Sequence, residues 1–187
     1  MSLLYQNPKM ALGYARCRPA LHAWIVSRIA GQFEHSLPVR RALDLGCGSG
    51  LSTAPLAGLA QSTLGLEPAI PMFAWSRQVA PEAVYVGGQV ELIPFCNDLF
   101  DLITAAGSLN YADLPRAFAE IARVLRPAGS FFLYDFSTGR SLKDSDRLDR
   151  WFDTFLDRFP AAKDSWKEIT QATLLQESNH LRLLSFR

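Results

Sequence analysis

The run Asp44-Leu45-Gly46-Cys47-Gly48-Ser49-Gly50 sets one carboxylate ahead of three glycines at alternate positions. Gly46 and Gly48 let a backbone approach a ligand closely, and a helix beginning just beyond them offers unpaired N–H groups to a carboxylate or phosphate. The spacing G-x-G-x-G is not the dinucleotide pattern G-x-G-x-x-G, because Leu51 stands where the third glycine is needed. Asp44 points the same way. A carboxylate repels a pyrophosphate and attracts an amino group, so a zwitterionic amino-acid moiety suits this loop better than a dinucleotide. Glu67, about 20 residues on, matches the acid that accepts hydrogen bonds from ribose hydroxyls at the end of a second strand.

Those residues need strand ends to hold them, and the apolar pattern supplies them. Arg41 to Leu45, Thr63 to Glu67, Ala83 to Val86, Phe100 to Ala105 and Ser130 to Phe136 read as five short apolar strands. Helical patterns separate them: Leu51 to Leu59, with Pro55 in its first turn, Pro71 to Val79, and Leu114 to Leu125, stopped by Pro127 and Gly129. A further helix begins near Pro19 and carries Leu21, Trp24, Ile25 and Ile29 on one face. Strands alternating with helices imply right-handed crossovers, hence an α/β doubly wound, mostly parallel sheet of order 3-2-1-4-5 with helices on both faces. Beyond Gly139, Leu148, Trp151, Phe152, Phe155, Leu156 and Phe159 fall on one helical face, expected as the buried side of a cap helix. Ile169 to Leu175 and Leu181 to Phe186, around Glu177-Ser178-Asn179, read as a hairpin, and the same residues also fit a helix.

With 187 residues, 49% hydrophobic residues and a net charge of +1, the chain suits one α/β domain without the long-range field that nucleic acid partners require. Cys17, Cys47 and Cys96 lie far apart with no metal-ligand spacing, so no metal site is expected, and free thiols fit a reducing compartment. No apolar run approaches the ~18 residues of a membrane span. The expectation is a soluble, cytoplasmic protein with no membrane association.

The chain resembles the class I S-adenosylmethionine-dependent methyltransferases, in particular their small-molecule, ubiquinone-biosynthesis-like branch (methyltransferase type 11). The resemblance runs from about Arg41 to Phe136 in four pieces: ALDLGCGSG from Ala42, GLEPAIPM from Gly65, VELIPFCNDLFDLIT from Val90 and RVLRPAGSFFLYDF from Arg123. It implies a Rossmann-like core that binds S-adenosylmethionine and releases S-adenosylhomocysteine. By resemblance, Asp44, Gly46, Cys47 and Gly48 surround the methionine part, Glu67 takes the ribose, Met72 packs on adenine, and Gln89 and Val90 read the adenine edge. Gln89 replaces an aspartate common in the family. Ala105 opens the segment Ala105 to Tyr111, which lines the crevice between cofactor and acceptor. Tyr14, in a Tyr-x-x-x-Arg-Pro segment ending at Arg18-Pro19, is the lid candidate; with Asn110 and Tyr111 it makes up the substrate side. The domains expected are an N-terminal helical lid over residues 1–40, the cofactor core over 41–137, and a cap with a C-terminal hairpin over 138–187.

The implied reaction is in-line methyl transfer to a small-molecule acceptor. A non-catalytic or truncated cofactor-binding protein that works with a partner is the alternative, since the stretch after Asp135 is short and its apolar ending HLRLLSFR offers an edge for homodimer pairing. A nicotinamide dehydrogenase is disfavoured by the glycine spacing. Several residues carry plainer readings. Cys47 is a small filler of the loop rather than a nucleophile, Trp75 a core residue, and Glu91 a surface or capping acid. Asp98 and Asp101 set a turn and strand start, Asp135 serves as a helix cap or substrate contact, and His22, His35 and His180 are surface or packing residues.

Overall fold

The computed structural model describes residues 3–19, 21–31, 37–135, 142–159, 167–177 and 181–182. Five parallel strands, β1 (Val39–Leu45), β2 (Ala60–Glu67), β3 (Val84–Gly87), β4 (Phe100–Ala106) and β5 (Leu125–Tyr134), form one sheet in the order β3-β2-β1-β4-β5. That is the expected order. Helices α1 (Pro8–Cys17) and α2 (His22–Ala30) precede the sheet, α3 (Ile70–Val79) links β2 to β3, α4 (Leu114–Val124) links β4 to β5, and α5 (Arg147–Arg158) and α6 (Gln171–Glu177) follow. Strand β1 is apolar and buried through Ala42, Leu43 and Leu45, because helices cover both faces of its sheet.

One core holds Leu43, Leu45, Phe100, Ile103, Phe118, Ile121 and Val124, with Ile169 and Leu174 resting on it. A second, on the opposite face, gathers Val26, Val39, Ala42, Leu56 and Leu102. Alternate residues of β1 and β4 enter different cores, the period-two rule applied to a sheet covered twice.

Four expectations change. The helix expected over Leu51 to Leu59 is a turn followed by a 3-10 helix, Ala54–Gly58, with Pro55 in its opening positions. Proline there forbids the hydrogen bond that would extend an α-helix backwards. Strand β5 begins directly after α4 at Leu125, and a register shift between Phe100 and Leu102 absorbs Pro127, Ala128 and Gly129, with Ala128 at φ 63°. The first arm of the expected hairpin is instead helix α6, which lies against α4. Leu174 thereby meets the core from a helical face, while residues 183–187 of the second arm lie outside the described residues. Helix α5 forms where expected, but its stripe is not buried: Trp151, Phe155 and Phe159 are exposed and shelter one another, with Trp151 stacked on Phe155 at 5.2 Å between centroids.

Arg123, on α4, fastens the loop that follows β3. Its guanidinium donates to the carbonyls of Ile93 (2.9 Å) and Phe95 (2.8 Å) and to Asn97 Oδ1 (3.0 Å), and it pairs with Glu120, whose carboxylate accepts the Ile93 N–H. Charge-assisted bonds of this kind outweigh neutral ones. Arg123→Ala is expected to cost about 2–3 kcal/mol, read as a lower urea midpoint at unchanged slope, because three carbonyl-type acceptors and Glu120 lose their partner.

Candidate functional site

The carboxyl ends of β1, β2 and β4 and the N-terminal helix α1 border a cleft of about 170 Å³. Residues lining it include Gly46, Gly48, Glu67, Met72, Gln89, Val90, Ser108, Tyr14 and Tyr111. This is the crevice outside the strand ends where open α/β sheets take ligands.

The loop is set by Asp44, which is fully buried. Ser52 and Thr53 donate to one of its oxygens, each at 2.7 Å, and Thr104 of β4 donates to the other at 3.2 Å. Burial pushes its pKa up to about 6 against the pull of those three hydroxyls. The chain then turns sharply, and the Gly46 and Cys47 N–H groups both donate to the Leu66 carbonyl (2.8 and 3.1 Å). Gly46 lies at φ 65°, and a Cβ there would collide with the Cβ of Ser108, whose hydroxyl donates to the Leu45 carbonyl at 2.6 Å. Gly48, at φ 52°, faces Met72 Cε, 3.2 Å from where its Cβ would stand.

Glu67 closes the other side. Its carboxylate accepts the Gly48 N–H at 3.0 Å and the Ala69 N–H at 2.8 Å, so it clamps the glycine loop to the start of α3. Burial raises its pKa. Each oxygen keeps a further acceptor position, and the carboxylate borders the cleft, which suits a diol.

Tyr14 and Tyr111 both line the cleft, and Tyr5 stands between them, edge-on to each at 5.8 and 6.5 Å between centroids. Tyr5 had no signal in the sequence, since its place depends on α1 folding back onto α3. Arg16 over Trp75 (5.6 Å) and the packing of Ala11 against Ala69 and Met72 hold α1 there. Ser108 lies in the segment expected to line the crevice, but its contact with Gly46 comes only from the close approach of the end of β4 to the glycine loop.

Other expected residues fall away from the cleft wall. Asp44 and Cys47 lie beneath the loop, and Cys47 is buried with its thiol pKa pushed far up by that burial. Ala105 is a buried strand residue, and Ala106 and Gly107 line the cleft in its stead. Asn110 is buried; its side-chain amide N–H donates to the Lys167 carbonyl (3.0 Å) and its backbone carbonyl accepts the Lys167 N–H (2.8 Å), so it anchors the approach to α6. Glu91, by contrast, does border the cleft, and its carboxylate accepts the Asp113 N–H (3.0 Å) just ahead of α4. Asp98 sits in a turn at φ 52°, Asp101 pairs with Arg126 at 3.0 Å, and Asp135 is exposed just past β5. His22 is not a surface residue: it is buried, with Nδ1 3.0 Å from the Tyr134 hydroxyl, and burial lowers its pKa. His35 and His180 lie outside the described residues. Among the described residues no cluster of metal-ligating side chains occurs, and no helix is long and apolar enough to cross a membrane.

A parallel sheet of this order, with an acid-flanked glycine loop and a second acid on the adjacent strand, defines a Rossmann-like nucleoside-cofactor domain. Residues 43–133 match the family model described as a methyltransferase domain. The demethylmenaquinone methyltransferase of Renibacterium salmoninarum is 28% identical over 103 residues, 54% of this chain and 44% of that protein. The phthiotriol/phenolphthiotriol dimycocerosates methyltransferase of Mycobacterium leprae is 32% identical over 153 residues, 78% of this chain and 54% of that protein. The chain thus spans about half the length of these curated relatives. A TehB-like S-adenosylmethionine-dependent methyltransferase of Corynebacterium glutamicum shares the fold at TM-score 0.57 and 24% identity, over 76% of this chain and 81% of that one. A Methanococcus maripaludis structure does so at TM-score 0.64 and 20% identity, over 86% and 74%. Residues 43–133 thus carry a methyltransferase domain, on the fold shared by S-adenosylmethionine-dependent methyltransferases.

Gly46→Ala is expected to destabilise the fold by about 3 kcal/mol through combined backbone strain and overlap with Ser108, with partial recovery in the Gly46→Ala/Ser108→Gly double variant. A double-mutant cycle of thermal unfolding reads the coupling, and additive effects would show that the two positions do not meet.

Proposed function

We propose that this chain transfers a methyl group from S-adenosylmethionine to a small-molecule acceptor in the cleft beside Tyr14 and Tyr111. The observation that carries the reading is Glu67, a buried acid on the cleft wall that binds two backbone N–H groups and keeps acceptor positions for a ribose diol. The loop at Gly46 and Gly48 would hold the methionine end, Asp44 beneath it supplying a negative field for the amino group. Met72, buried on α3, would pack on the adenine with its polarizable thioether, while Gln89 and Val90 would meet the adenine edge. Cys47 and Ala105 act by filling space under the loop, and Asn110 by holding the C-terminal segment in place. Residues 1–40 serve as the lid and residues 41–137 as the cofactor core, with residues 138–187 completing the acceptor side. The exposed thiols Cys17 and Cys96 accord with work in the reducing cytoplasm.

When bound, S-adenosylmethionine supplies a methyl group on an electrophilic sulfonium. The protein's part is alignment and exclusion of water, which position effects can make worth several kcal/mol. The tyrosine wall and the lid helix serve that end. No strong base is required of them when the acceptor is already nucleophilic.

Isothermal titration is expected to show S-adenosylmethionine and S-adenosylhomocysteine binding at low micromolar Kd or tighter. Glu67→Ala should weaken both by about 10- to 100-fold, since a charged hydrogen-bond acceptor is lost from a buried wall. Failure of the intact protein to bind either compound would refute the reading.

The pH dependence has a definite sign. Asp44 is ionised above about 6 and takes up a proton below it, so attraction for the cofactor's amino group is present at neutral pH and fades as pH falls through 6. Glu67, also raised, adds to the same trend. Wild-type affinity should therefore drop between pH 7 and 5, and Asp44→Asn should bind more weakly at pH 7 and respond less steeply.

A further inference from the structure

Among the described residues that line the cleft, none is lysine, arginine or histidine, while Glu67 and Glu91 both border it. One wall departs from that acidic character. The Arg18 guanidinium lies over the Tyr14 ring, 4.7 Å from its centroid, and Tyr14 itself lines the cleft. Neither the Arg18 guanidinium nor the Tyr14 hydroxyl has a hydrogen-bond or ion-pair partner among the described residues. Two donors therefore stand unspent side by side, one of them charged and geometrically suited to a two-oxygen anion.

The neighbourhood keeps them donors. Burial holds the Tyr14 proton against the opposing pull of the Arg18 charge, with Tyr5, Glu67 and Asp44 adding to the effect of burial, and Tyr134 is shifted in the same direction. His22, bonded to Tyr134, has a lowered pKa, through burial first and the Arg18 charge second, so it leaves Arg18 as the cation at this wall. An exposed, unpaired arginine is commonly just a solvated surface charge. Here the ring that carries it forms part of the cleft.

We infer that Arg18 and Tyr14 form a carboxylate-binding point of the cleft, and that the carboxylate is brought by the methyl acceptor. This rests on the methyltransferase reading above. A carboxylate is ionised at neutral pH and reaches the sulfonium as a ready nucleophile. Its oxygen forms the O–CH3 bond as the S–CH3 bond breaks, the electron pair stays on sulfur, and no proton needs a base. A second source has the same chemistry, namely the carboxylate of the cofactor's own amino-acid end.

Isothermal titration on the intact protein separates the two. The first arm compares phenylacetate, 2-phenylethanol and 2-phenylethylamine, with and without S-adenosylhomocysteine, for wild type, Arg18→Gln and Arg18→Lys. Phenylacetate should bind at least about 10-fold more tightly than the alcohol, Arg18→Gln should bring the two level, and Arg18→Lys should keep part of the difference. The second arm compares S-adenosylhomocysteine with methylthioadenosine, which lacks the amino-acid end. If Arg18→Gln weakens the former alone, the carboxylate receptor stands and its ligand is the cofactor. If wild type and Arg18→Gln behave alike in both arms, the proposal is overturned. Wild type that binds no S-adenosylhomocysteine would refute the cofactor reading, and the phenylacetate series without it would still decide the role of Arg18.

Discussion

The Asp44 carboxylate, buried at the end of the central strand, is the constraint from which the rest of the site follows. A buried charge is tolerable only when its acceptor positions are filled. Ser52 and Thr53 from the segment after the glycine loop and Thr104 from β4 fill them, so one side chain ties β1, its loop and β4 together. The loop cannot drift outward without stranding that charge. Its backbone is thereby held where Leu66 can accept from Gly46 and Cys47, and where the glycines face the cleft.

From that anchor the cleft is assembled by contacts that each join distant parts of the chain. Glu67 bridges the loop to α3, Ser108 fills the space that a side chain at Gly46 would need, and Arg123 fastens the β3–β4 loop carrying Val90 and Ile93. Helix α1 and the segment before it form the remaining wall, held largely by rings and guanidinium groups rather than by strand pairing. Arg16 rests on Trp75, Arg18 on Tyr14, and Tyr5 sits between Tyr14 and Tyr111. Such a wall can separate from the sheet without breaking a strand, as a cleft that must admit a cofactor requires.

The C-terminal region is attached differently. Asn110 exchanges two hydrogen bonds with Lys167, and Ile169 and Leu174 pack on the main core, so the approach to α6 is tied to the segment beside Tyr111. Helix α5 is amphipathic in sequence, yet its aromatic residues mainly cover one another. Amphipathic spacing requires that one face avoid water, and self-stacking of Trp151, Phe155 and Phe159 meets part of that need without a partner surface.

By itself the sequence determined the parallel sheet, its order, the glycine loop and the two acids at the strand ends. These are local matters: apolar runs of strand length, helical spacing between them, and glycines at positions where a side chain has no room. Boundaries moved by a few residues where proline or a bulge intervened, as at Pro55 and at Pro127 to Gly129. Tertiary structure alone decided which of the marked residues face the cleft. Asp44 and Cys47 lie below it, Asn110 turns toward Lys167, Ser108 meets Gly46, and Tyr5, silent in the sequence, stands between Tyr14 and Tyr111. It also turned Ile169 to Leu175 from an expected strand toward helix and buried His22 against Tyr134. The physical reason is the same in each case. A residue's spacing states what it can do, but its direction and partners come from distant segments, 57 positions away between Asn110 and Lys167 and 112 between His22 and Tyr134.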